Sequence, residues 1–471
     1  MTWSTMVARR HLPDPAVITS EGTWTGQDLF RHAGGAADWL DRVGVPQGAS
    51  VPALVTTSHA AAALLLASAG SGRPLAPVGP RLTTAELGAC LSQHRAPVVV
   101  AEAEFQDNAL AAAAISGQRV EVIPDLTPSE RRLDFDPDPA SLALIMHTSG
   151  TSGVPKLVPV RQDRLAARVD NSLPLTFLRP DSVYATMSPF QHIAGVGNVL
   201  ITLAVGAALV GVRKFTSDAW IDLAAFGVSH ALLVPTMIDL LLEEGRLGLP
   251  SLQMLQYGGA PIHPDTLKLL TETLPHVSLV QIYGTTEGSP LTCLTAEDHH
   301  RAAAGEQELL LSTGRHAPGT EVAISDPGAN GVGEVLCRAA HVHLPSDDGW
   351  LHTGDLGRLD RHGYLYLSGR KGDRIVRGGE NVDPLEVEQT LLQHPHVADV
   401  AVVGWPDRRL GEVVTAFVVA APGCAAEPRE LRDFARTYLA GFKVPQRWEI
   451  VTDLPRNENG KLLRRRLRPP N

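Results

Sequence analysis

The chain has 471 residues, of which 44% are hydrophobic and 20% are charged. This composition is typical of a folded globular protein and argues against a disordered or low-complexity chain, while the length favours two or three domains. The 41 Lys and Arg residues and 51 Asp and Glu residues leave a net charge of -10, which disfavours non-specific binding to nucleic acid or to an anionic membrane.

The four cysteines, Cys90, Cys293, Cys337 and Cys424, are far apart and include no Cys-x-x-Cys pair. The sequence therefore predicts neither a zinc site nor a disulfide framework, and a reducing cytoplasmic location fits this usage best. The first ten residues lack the apolar segment of a signal peptide, and the longest apolar stretch, 199–212, is shorter than the ~20 residues of a membrane-spanning helix. We expect no targeting segment and no membrane anchor.

Short apolar runs alternate with amphipathic segments over most of the chain, a pattern typical of an α/β fold. Buried parallel strands are predicted at 97–101 (PVVVA), 142–146 (LALIM) and 231–234 (ALLV), with a helix at 237–244. We expect these strands to form one large sheet that helices cover on both faces.

The character of the sequence changes near Gly369, where GRKGDRIVRGG is polar, basic and rich in glycine. We predict a domain boundary here, with one domain at 1–370 and a second at 371–471. The second contains a helix-like segment, PLEVEQTLLQH, and a strand-like segment, VADVAVVGW, so it is predicted to be a small α+β domain.

Residues 147–160, HTSGTSGVPKLVPV, lead from a predicted strand into a loop of hydroxyl-bearing residues and glycines that ends in Lys156. Glycines let backbone amides approach phosphate oxygens closely, hydroxyl groups add donors and the lysine adds positive charge, so the loop is predicted to bind phosphate. The spacing differs from that of a Walker A loop. A Ser/Gly turn without a ligand is the alternative.

Two further segments carry polar groups suited to a nucleotide. In QIYGTTEGSP, residues 281–290, Tyr283 is predicted to stack on a purine, Thr286 to donate to a phosphate and Glu287 to hold magnesium. In LHTGDLG, residues 351–357, Asp355 is placed to accept hydrogen bonds from ribose hydroxyls, and Arg370 follows as a fork of donors.

These segments, in this order and spacing, resemble the core motifs of the adenylate-forming superfamily of acyl-CoA synthetases, nonribosomal adenylation domains and luciferases. The similarity runs through TSGTSGVPK, YGTTEG, HTGDLG, GRKGDRIVRGGENVDPLEVE, GFKVP and PRNENGK. It implies a large, multi-layered N-terminal AMP-binding domain and a small, mobile C-terminal lid. The activity it implies is conversion of a carboxylic acid to an acyl-AMP with ATP and Mg²⁺, release of pyrophosphate, and thioester formation with coenzyme A.

The resemblance also implies roles for single residues. Lys461 would bridge the substrate carboxylate and the α-phosphate, Thr286 would bind the α-phosphate, Glu287 the magnesium ion, and Asp355 and Arg370 the ribose. The other residues implied in nucleotide binding belong to the phosphate loop and the adenine pocket: Thr148, Ser149, Gly150, Thr151, Ser152, Gly153, Lys156, Gly258, Gly259, Ala260, Pro261, Tyr283, Gly284 and Thr285.

Thioester formation in this family is thought to require rotation of the C-terminal domain. The hinge position, two residues after the ribose-binding arginine, is usually Asp or Lys but is Gly372 here, and glycine tolerates large dihedral changes. Rotation would present Arg377, Gly378, Gly379 and Glu380 to the pantetheine arm of coenzyme A.

The resemblance implies an acyl pocket near SPFQHIAGVG, residues 188–197. The residues assigned to this pocket are His192 and Gly195 of that segment, together with Gly258 and Ser289. His192 stands where many acyl-CoA synthetases have a gating histidine, although Gln191 replaces the usual preceding aromatic residue, and a structural role for His192 is the alternative. The aspartate that binds the amino group in adenylation domains for α-amino acids is missing here. We therefore expect a non-amino acid that is bulky or apolar.

Three other hypotheses are compatible with parts of this pattern. A freestanding adenylation enzyme would load the phosphopantetheine arm of a separate carrier protein, since only ten residues follow Lys461. A luciferase-type oxygenase is disfavoured because the peroxisomal Ser-Lys-Leu ending is missing. A non-catalytic nucleotide-binding regulator is disfavoured because Lys461, Glu287, Asp355 and Arg370 are all present.

Overall fold

The computed structural model describes residues 1–148, 156–378, 380–457 and 460–468. The chain forms two compact units, which we call the large unit (Met1–Glu321 with Cys337–Leu351) and the small unit (Val322–Leu336 with His352–Asn471). In the described ranges no helix combines the length and the apolar character that crossing a bilayer requires.

Strands of the large unit form two sheets. In chain order they are β1 (Val17–Thr19), β2 (Gly22–Trp24), β3 (Val51–Leu54), β4 (Leu75–Pro77), β5 (Val98–Ala101), β6 (Arg119–Val122), β7 (Leu142–Thr148), β8 (Lys156–Arg161), β9 (Val183–Thr186), β10 (Ala208–Gly211), β11 (His230–Leu233), β12 (Met254–Gly258), β13 (Ser278–Tyr283), β14 (Thr292–Leu294) and β15 (Arg315–His316). One sheet has the order β15-β14-β13-β12-β11-β9-β10-β1-β2 and the other β6-β5-β3-β4-β7-β8.

Helices of the large unit connect and cover these strands. They are α1 (Trp3–Ala8), α2 (Gly26–Arg42), α3 (His59–Gly70), α4 (Thr84–Leu91), α5 (Gln106–Ser116), α6 (Gln162–Thr176), α7 (Ile193–Val205), α8 (Ser217–Asp222), α9 (Pro235–Glu243), α10 (Pro264–Thr273) and α11 (Ala296–Ala303), with short 3₁₀ helices at Ala103–Phe105, Leu223–Phe226 and Gln307–Leu311. Several begin with a side-chain cap; the Thr25 hydroxyl of α2, for example, accepts from the Asp28 amide, which satisfies a donor that the helix leaves open.

Parallel pairing dominates both sheets of the large unit. From β1 through β10, β9, β11 and β12 to β13 every neighbouring pair is parallel, and strands such as β12 are buried along their whole length. Helix cover on both faces explains why these strands are continuous apolar runs. The largest apolar cluster joins α2, α3, α6 and α7 to strands of both sheets.

The predicted strands at 97–101, 142–146 and 231–234 are confirmed as β5, β7 and β11, and the predicted helix as α9. The expectation of one large sheet is wrong, because β5 and β7 belong to the six-stranded sheet and β11 to the nine-stranded one. A layer that includes the almost wholly buried, apolar helix α3 packs against strands of both sheets. In addition, β7 is parallel to β4 but antiparallel to β8.

The small unit combines two sheets with two helices. Its elements are β16 (Thr320–Ser325), β17 (Gly333–Ala339), β18 (Leu351–Leu359), β19 (Leu365–Arg370), β20 (Ile375–Arg377), β21 (Glu380–Val382), α12 (Pro384–Leu391), β22 (Val397–Asp407), β23 (Gly411–Ala420), α13 (Pro428–Tyr438), β24 (Arg447–Val451) and a 3₁₀ helix at Arg464–Leu467. The helix predicted in PLEVEQTLLQH and the strand predicted in VADVAVVGW are confirmed as α12 and β22. Their apolar residues form one core with β23 and α13.

Candidate active site

The predicted adenine-binding segments begin where two neighbouring parallel strands end. β12 ends at Gly258 and β13 at Tyr283, and Gly258 lies opposite Ile282 in the register of the two strands. Ligands of open α/β sheets bind beyond the carboxyl ends of the strands. The structure therefore brings the two segments to one edge of the nine-stranded sheet.

Glycine is required at the end of β12. A Cβ atom at position 258 would lie 2.2 Å from the carbonyl oxygen of Ile282, and Gly259 follows with a φ of 83°, a value that L-residues with side chains rarely adopt. Gly259 and Pro261 are exposed and Ala260 is half-buried. A stretch of backbone without large side chains thus faces solvent, as the flat face of a base requires.

The segment after β13 makes a tight turn in which Gly288 N donates to Thr285 O over 3.2 Å. A Cβ atom at position 284 would lie 2.7 Å from the side chain of Ser289, so the turn closes on itself. The half-buried Thr286 and Glu287 are held between these points. The Glu287 carboxylate is an oxygen ligand of the kind that Mg²⁺ prefers, and the Thr286 hydroxyl can donate a hydrogen bond to a phosphate oxygen.

The turn is tied to a second loop of the large unit. Glu287 O accepts a 2.7 Å hydrogen bond from His343 N, and the half-buried Tyr283 packs in an apolar cluster with Leu291, Val342 and Leu351. Thr285 Oγ1 is buried and has no hydrogen-bond partner within the described ranges. A buried hydroxyl in this state is a donor that a ligand can satisfy.

The predicted phosphate loop starts at the end of β7 and returns along β8. Thr148 and Lys156 are opposite each other in this antiparallel pair, the Thr148 hydroxyl donates to Lys156 O over 3.4 Å, and the Lys156 side chain is exposed. The loop residues Ser149, Gly150, Thr151, Ser152 and Gly153 lie outside the described residues.

The predicted acyl-pocket residues gather at the same edge of the nine-stranded sheet. His192 follows the carboxyl end of β9, is the N-terminal cap of α7 and donates from its backbone N to Pro189 O over 3.0 Å. A Cβ atom at position 195 would lie 2.2 Å from Pro189 O, so Gly195 lets α7 pack on the preceding loop. Because β9 and β12 run in the same direction with only β11 between them, His192 and Gly258 share this edge.

In the small unit, Asp355 and Arg370 are opposite each other on β18 and β19. Arg370 Nε donates to Asp355 Oδ1 over 2.6 Å, and the Asp355 side chain is 13% exposed against 42% for Arg370. The two predicted ribose-binding residues are therefore adjacent.

Lys461 lies near this pair within the small unit. Desolvation lowers the pKa of Lys461, the positive charges of Arg370 and Arg464 lower it further, and Asp355 and Asp373 oppose these effects. An ammonium group is a point charge on a flexible stem, so it can reach a ligand held by neighbouring groups.

The loop that carries Lys461 is held by several hydrogen bonds. Asn457 N donates to Lys461 O over 2.9 Å, and Lys461 N donates to Asn457 Oδ1 over 2.9 Å. Arg456 donates to Gly460 O over 2.8 Å and to Asp399 Oδ2 over 2.7 Å. The backbone at Lys461 is thereby fixed.

The predicted hinge and coenzyme A segment follow β19. Gly372 lies in a turn closed by Asp373 N donating to Arg370 O over 3.0 Å. Apart from its chain neighbours, no described residue has an atom within 4 Å of a Cβ placed at Gly372. Arg377 and Glu380 pair across the β20–β21 hairpin, and Gly378 N donates to Leu410 O over 2.7 Å. Gly379 lies outside the described residues.

One charged residue near the acyl-pocket segment was not predicted from the sequence. Arg168 is on the buried face of α6, together with Leu165, Val169 and Ser172, and is 5% exposed. The sequence does indicate this residue, because an arginine at a core position of an amphipathic helix needs a partner or a ligand.

Comparisons with known proteins give a consistent result. The family model for AMP-binding enzymes matches residues 5–344, and the model for the C-terminal domain of AMP-binding enzymes matches residues 386–461. A fatty acid–[acyl-carrier-protein] ligase of Streptomyces coeruleorubidus is 34% identical over 96% of this chain and 93% of its own length. A 2-succinylbenzoate–CoA ligase of Bacillus cereus is 35% identical over 69% of each chain.

Solved structures agree with this. ATP-bound MatB from Rhodopseudomonas palustris superposes with a TM-score of 0.88 at 28% identity, covering 99% of this chain and 98% of that one. The o-succinylbenzoate CoA synthetase of Bacillus subtilis in complex with its acyl-adenylate intermediate gives a TM-score of 0.86 at 26% identity, covering 99% and 97%.

Proposed function

This chain belongs to the AMP-binding enzymes, and from that premise we propose that it activates a non-amino carboxylic acid as an acyl-AMP and transfers the acyl group to coenzyme A. The observation that carries the proposal is the grouping of Asp355, Arg370 and Lys461 in the small unit. This grouping suits a nucleotide ribose and a reacting phosphate, because it combines a carboxylate, a guanidinium group with several N–H donors and a flexible cation.

The first step brings two anions together. A substrate carboxylate oxygen attacks the α-phosphorus of ATP, and the bond to pyrophosphate breaks as the new anhydride bond forms. Cations lower this barrier because negative charge accumulates between the reacting groups. Lys461 is proposed to span the carboxylate and the α-phosphate, and Thr286 to donate to that phosphate.

Magnesium fits the oxygen groups of the turn after β13. Glu287 is proposed to hold it, with nucleotide phosphates as further ligands, and the bound ion supplies Lewis-acid stabilisation of the phosphate charge. The hydrogen bond from His343 N to the backbone carbonyl of the half-buried Glu287 supports this role, because it fixes the backbone from which the carboxylate extends.

We propose nucleotide-binding groups in each unit. In the large unit the open backbone at Gly258 and Gly259 and the ring of Tyr283 suit the adenine face. In the small unit Asp355 is proposed to accept from the ribose hydroxyls while Arg370 orients that carboxylate. The acyl group is proposed to lie near His192 and Gly195.

The second step is attack of a thiol on the acyl carbon, with AMP as the leaving group and the thiol proton released to solvent. We propose that it follows a rotation at Gly372 that brings the β20–β21 hairpin to the pantetheine arm. Packing does not require glycine at this position, because none of the described residues beyond its chain neighbours lies within 4 Å of a Cβ placed there.

A carrier protein is the second candidate acceptor. The relative with 34% identity over 96% of this chain is a fatty acid–[acyl-carrier-protein] ligase, and the same pantetheine chemistry serves coenzyme A and a carrier protein. Parallel assays with free coenzyme A and with a phosphopantetheinylated carrier protein separate the two. Thioester formed only on the carrier would replace coenzyme A as the proposed acceptor.

A single substitution tests the role of the lysine. Lys461→Ala is expected to abolish acid-dependent pyrophosphate release but to keep thioester formation from supplied acyl-AMP, since only the first step uses its charge. Arg466→Ala, an exposed cation five residues away, is the matched control and is expected to retain both steps. Normal adenylation by Lys461→Ala would remove the proposed role.

We also propose a reducing, cytoplasmic location. All four cysteines are free and Cys90, Cys293 and Cys337 are buried. Burial raises the pKa of the Cys90 thiol to about 11 and that of Cys337 to about 12, so these thiols are protonated and unreactive at neutral pH.

A further inference from the structure

Arg168 is a buried cation that has no acidic partner in the described part of the chain. Its side chain lies on α6 at 5% exposure, and its Nε and Nη1 atoms are buried without a hydrogen-bond partner. Burial lowers the pKa of Arg168 only to about 10, so the guanidinium is charged at neutral pH. A buried charge without a counter-ion is costly, which makes an anionic ligand the simplest account.

Gly197 on α7 provides the space that the guanidinium occupies. A Cβ atom at position 197 would lie 2.8 Å from Nη2 of Arg168, so any side chain there would displace the charged group. Gly197 is two residues from Gly195 of the predicted acyl pocket. Small residues on α7 therefore leave Arg168 beside the region proposed to hold the acyl group.

The titratable groups around Arg168 are Tyr184, His341 and His343, and a second cation, Arg164, also acts on both histidines. Burial lowers the pKa of His341 to about 4 and that of His343 to about 3, and the nearby Arg168 charge adds to both effects. His341 contacts Asn171 through Nδ1 and Pro290 O through Nε2, whereas Nδ1 of His343 is buried and has no partner within the described residues. His341, which senses the Arg168 charge, thus contacts the residue that follows Ser289, another predicted acyl-pocket residue.

We propose that Arg168 binds a second carboxylate carried by the acyl part of the substrate, with His343 as an additional hydrogen-bonding group. This proposal rests on the proposed function and narrows the class of substrate. The substrate would be a dicarboxylic acid with a bulky or apolar part between its two carboxylates. A guanidinium offers paired donors that match a carboxylate. The substrate would supply the counter-ion that the described residues do not provide.

The test compares dicarboxylic acids with their monomethyl esters of the same chain length in acid-dependent pyrophosphate release. The wild type is expected to prefer the diacid by about tenfold or more in kcat/KM, because an unpaired buried group discriminates strongly. Arg168→Met, which keeps the volume but removes the charge, is expected to lose this preference and to leave the KM for ATP unchanged. Arg168→Lys should retain part of it.

Three results would overturn the proposal: equal use of diacid and ester by the wild type, an unchanged preference in Arg168→Met, or a rise in the KM for ATP alone. The last would assign Arg168 to the nucleotide phosphates. Arg168→Met is expected to fold, since an unpaired charge is replaced by an apolar side chain of similar size, and its melting temperature checks this.

A binding measurement separates this proposal from the proposed function. Without ATP, a diacid is expected to raise the melting temperature of the wild type but not of Arg168→Met. If no acid released pyrophosphate, the proposed function would fail, and this thermal shift would still decide whether Arg168 binds a carboxylate. No shift in the wild type with any diacid would overturn the inference.

Discussion

Arg370 Nε donates a 2.6 Å hydrogen bond to Asp355 Oδ1 across the antiparallel pair β18–β19. The arginine therefore orients the carboxylate that is proposed to bind the ribose. Because both residues stand on paired strands rather than on a free loop, their geometry is set by the sheet.

Asp355→Asn tests this arrangement. The substitution removes the negative charge that attracts both Arg370 and the ribose hydroxyls, so the KM for ATP is expected to rise about tenfold or more. The matched control is Glu321→Gln, which removes the carboxylate of the exposed Glu321–Arg338 ion pair and should leave the KM for ATP unchanged. An unaltered KM in Asp355→Asn would show that the ribose is held elsewhere.

Arg456 is predicted to act as a positioning residue for Lys461. It holds the loop through Gly460 O and Asp399 Oδ2, so Arg456→Gln is expected to lower kcat for adenylation about tenfold while the KM values change little. Thioester formation from supplied acyl-AMP should be unaffected. Arg436→Gln, at an exposed ion pair with Asp433, is the control, and an equal loss of both half-reactions in Arg456→Gln would indicate a general structural defect instead.

Gly372 is predicted to be the pivot of the rotation between the two steps. Gly372→Pro restricts φ and is expected to slow thioester formation more than acyl-AMP formation. Gly372→Ala should be nearly neutral for adenylation, because a Cβ at this position meets no atom within 4 Å. The two half-reactions are measured separately with ATP and acid, and with acyl-AMP and coenzyme A. Equal loss of both in the proline variant would contradict a hinge.

Stability of the large unit should depend on pH through two neighbouring histidines, the buried His94 and the half-buried His147. His94 Nε2 and His147 Nε2 are 2.9 Å apart, His147 Nδ1 lies 3.2 Å from Pro77 O, and Ser50 Oγ lies 3.0 Å from His94 Nδ1. A single set of neutral tautomers satisfies this chain, with Ser50 donating to His94, His94 to His147, and His147 to Pro77. Burial lowers the pKa of each histidine to about 4.

Because these pKa values lie below the ordinary 6.5 of the unfolded chain, the stabilisation is present above pH 6.5 and is lost as the pH falls towards 4. The free energy of unfolding is expected to fall by roughly 1 kcal/mol per pH unit for each histidine in this window. His94→Gln should make the slope shallower in denaturant titrations at several pH values, whereas His276→Gln, at an exposed position, should not. Identical slopes in all three proteins would contradict neutral burial.

Much of the fold follows from local sequence because buried parallel strands are continuous apolar runs, as in β5 and β11. The pairing of strands does not follow from local sequence, because it depends on contacts between distant segments. The sequence therefore predicts a single sheet, whereas the structure has two sheets with α3 packed against strands of both. The phosphate-loop segment could be placed after a strand, which is β7 in the structure, because turn chemistry is local.

The parts of the candidate site that the sequence missed depend on packing between separate segments. Arg168 on α6 is significant only because Gly197 on α7 and His343 on a later loop lie against it. Periodicity shows that position 168 faces the core, but it cannot show whether an acid elsewhere in the chain neutralises the charge.

The most direct test of the account is Mg²⁺-dependent pyrophosphate release from ATP across fatty, aromatic, polycyclic, dicarboxylic and amino acids, each with and without coenzyme A. We expect release that depends on one class of non-amino acid, loss of release in Lys461→Ala, and an acyl-CoA product when coenzyme A is present. Pyrophosphate release that is independent of the acid, or no release with any acid, would contradict acid activation as the function of this protein.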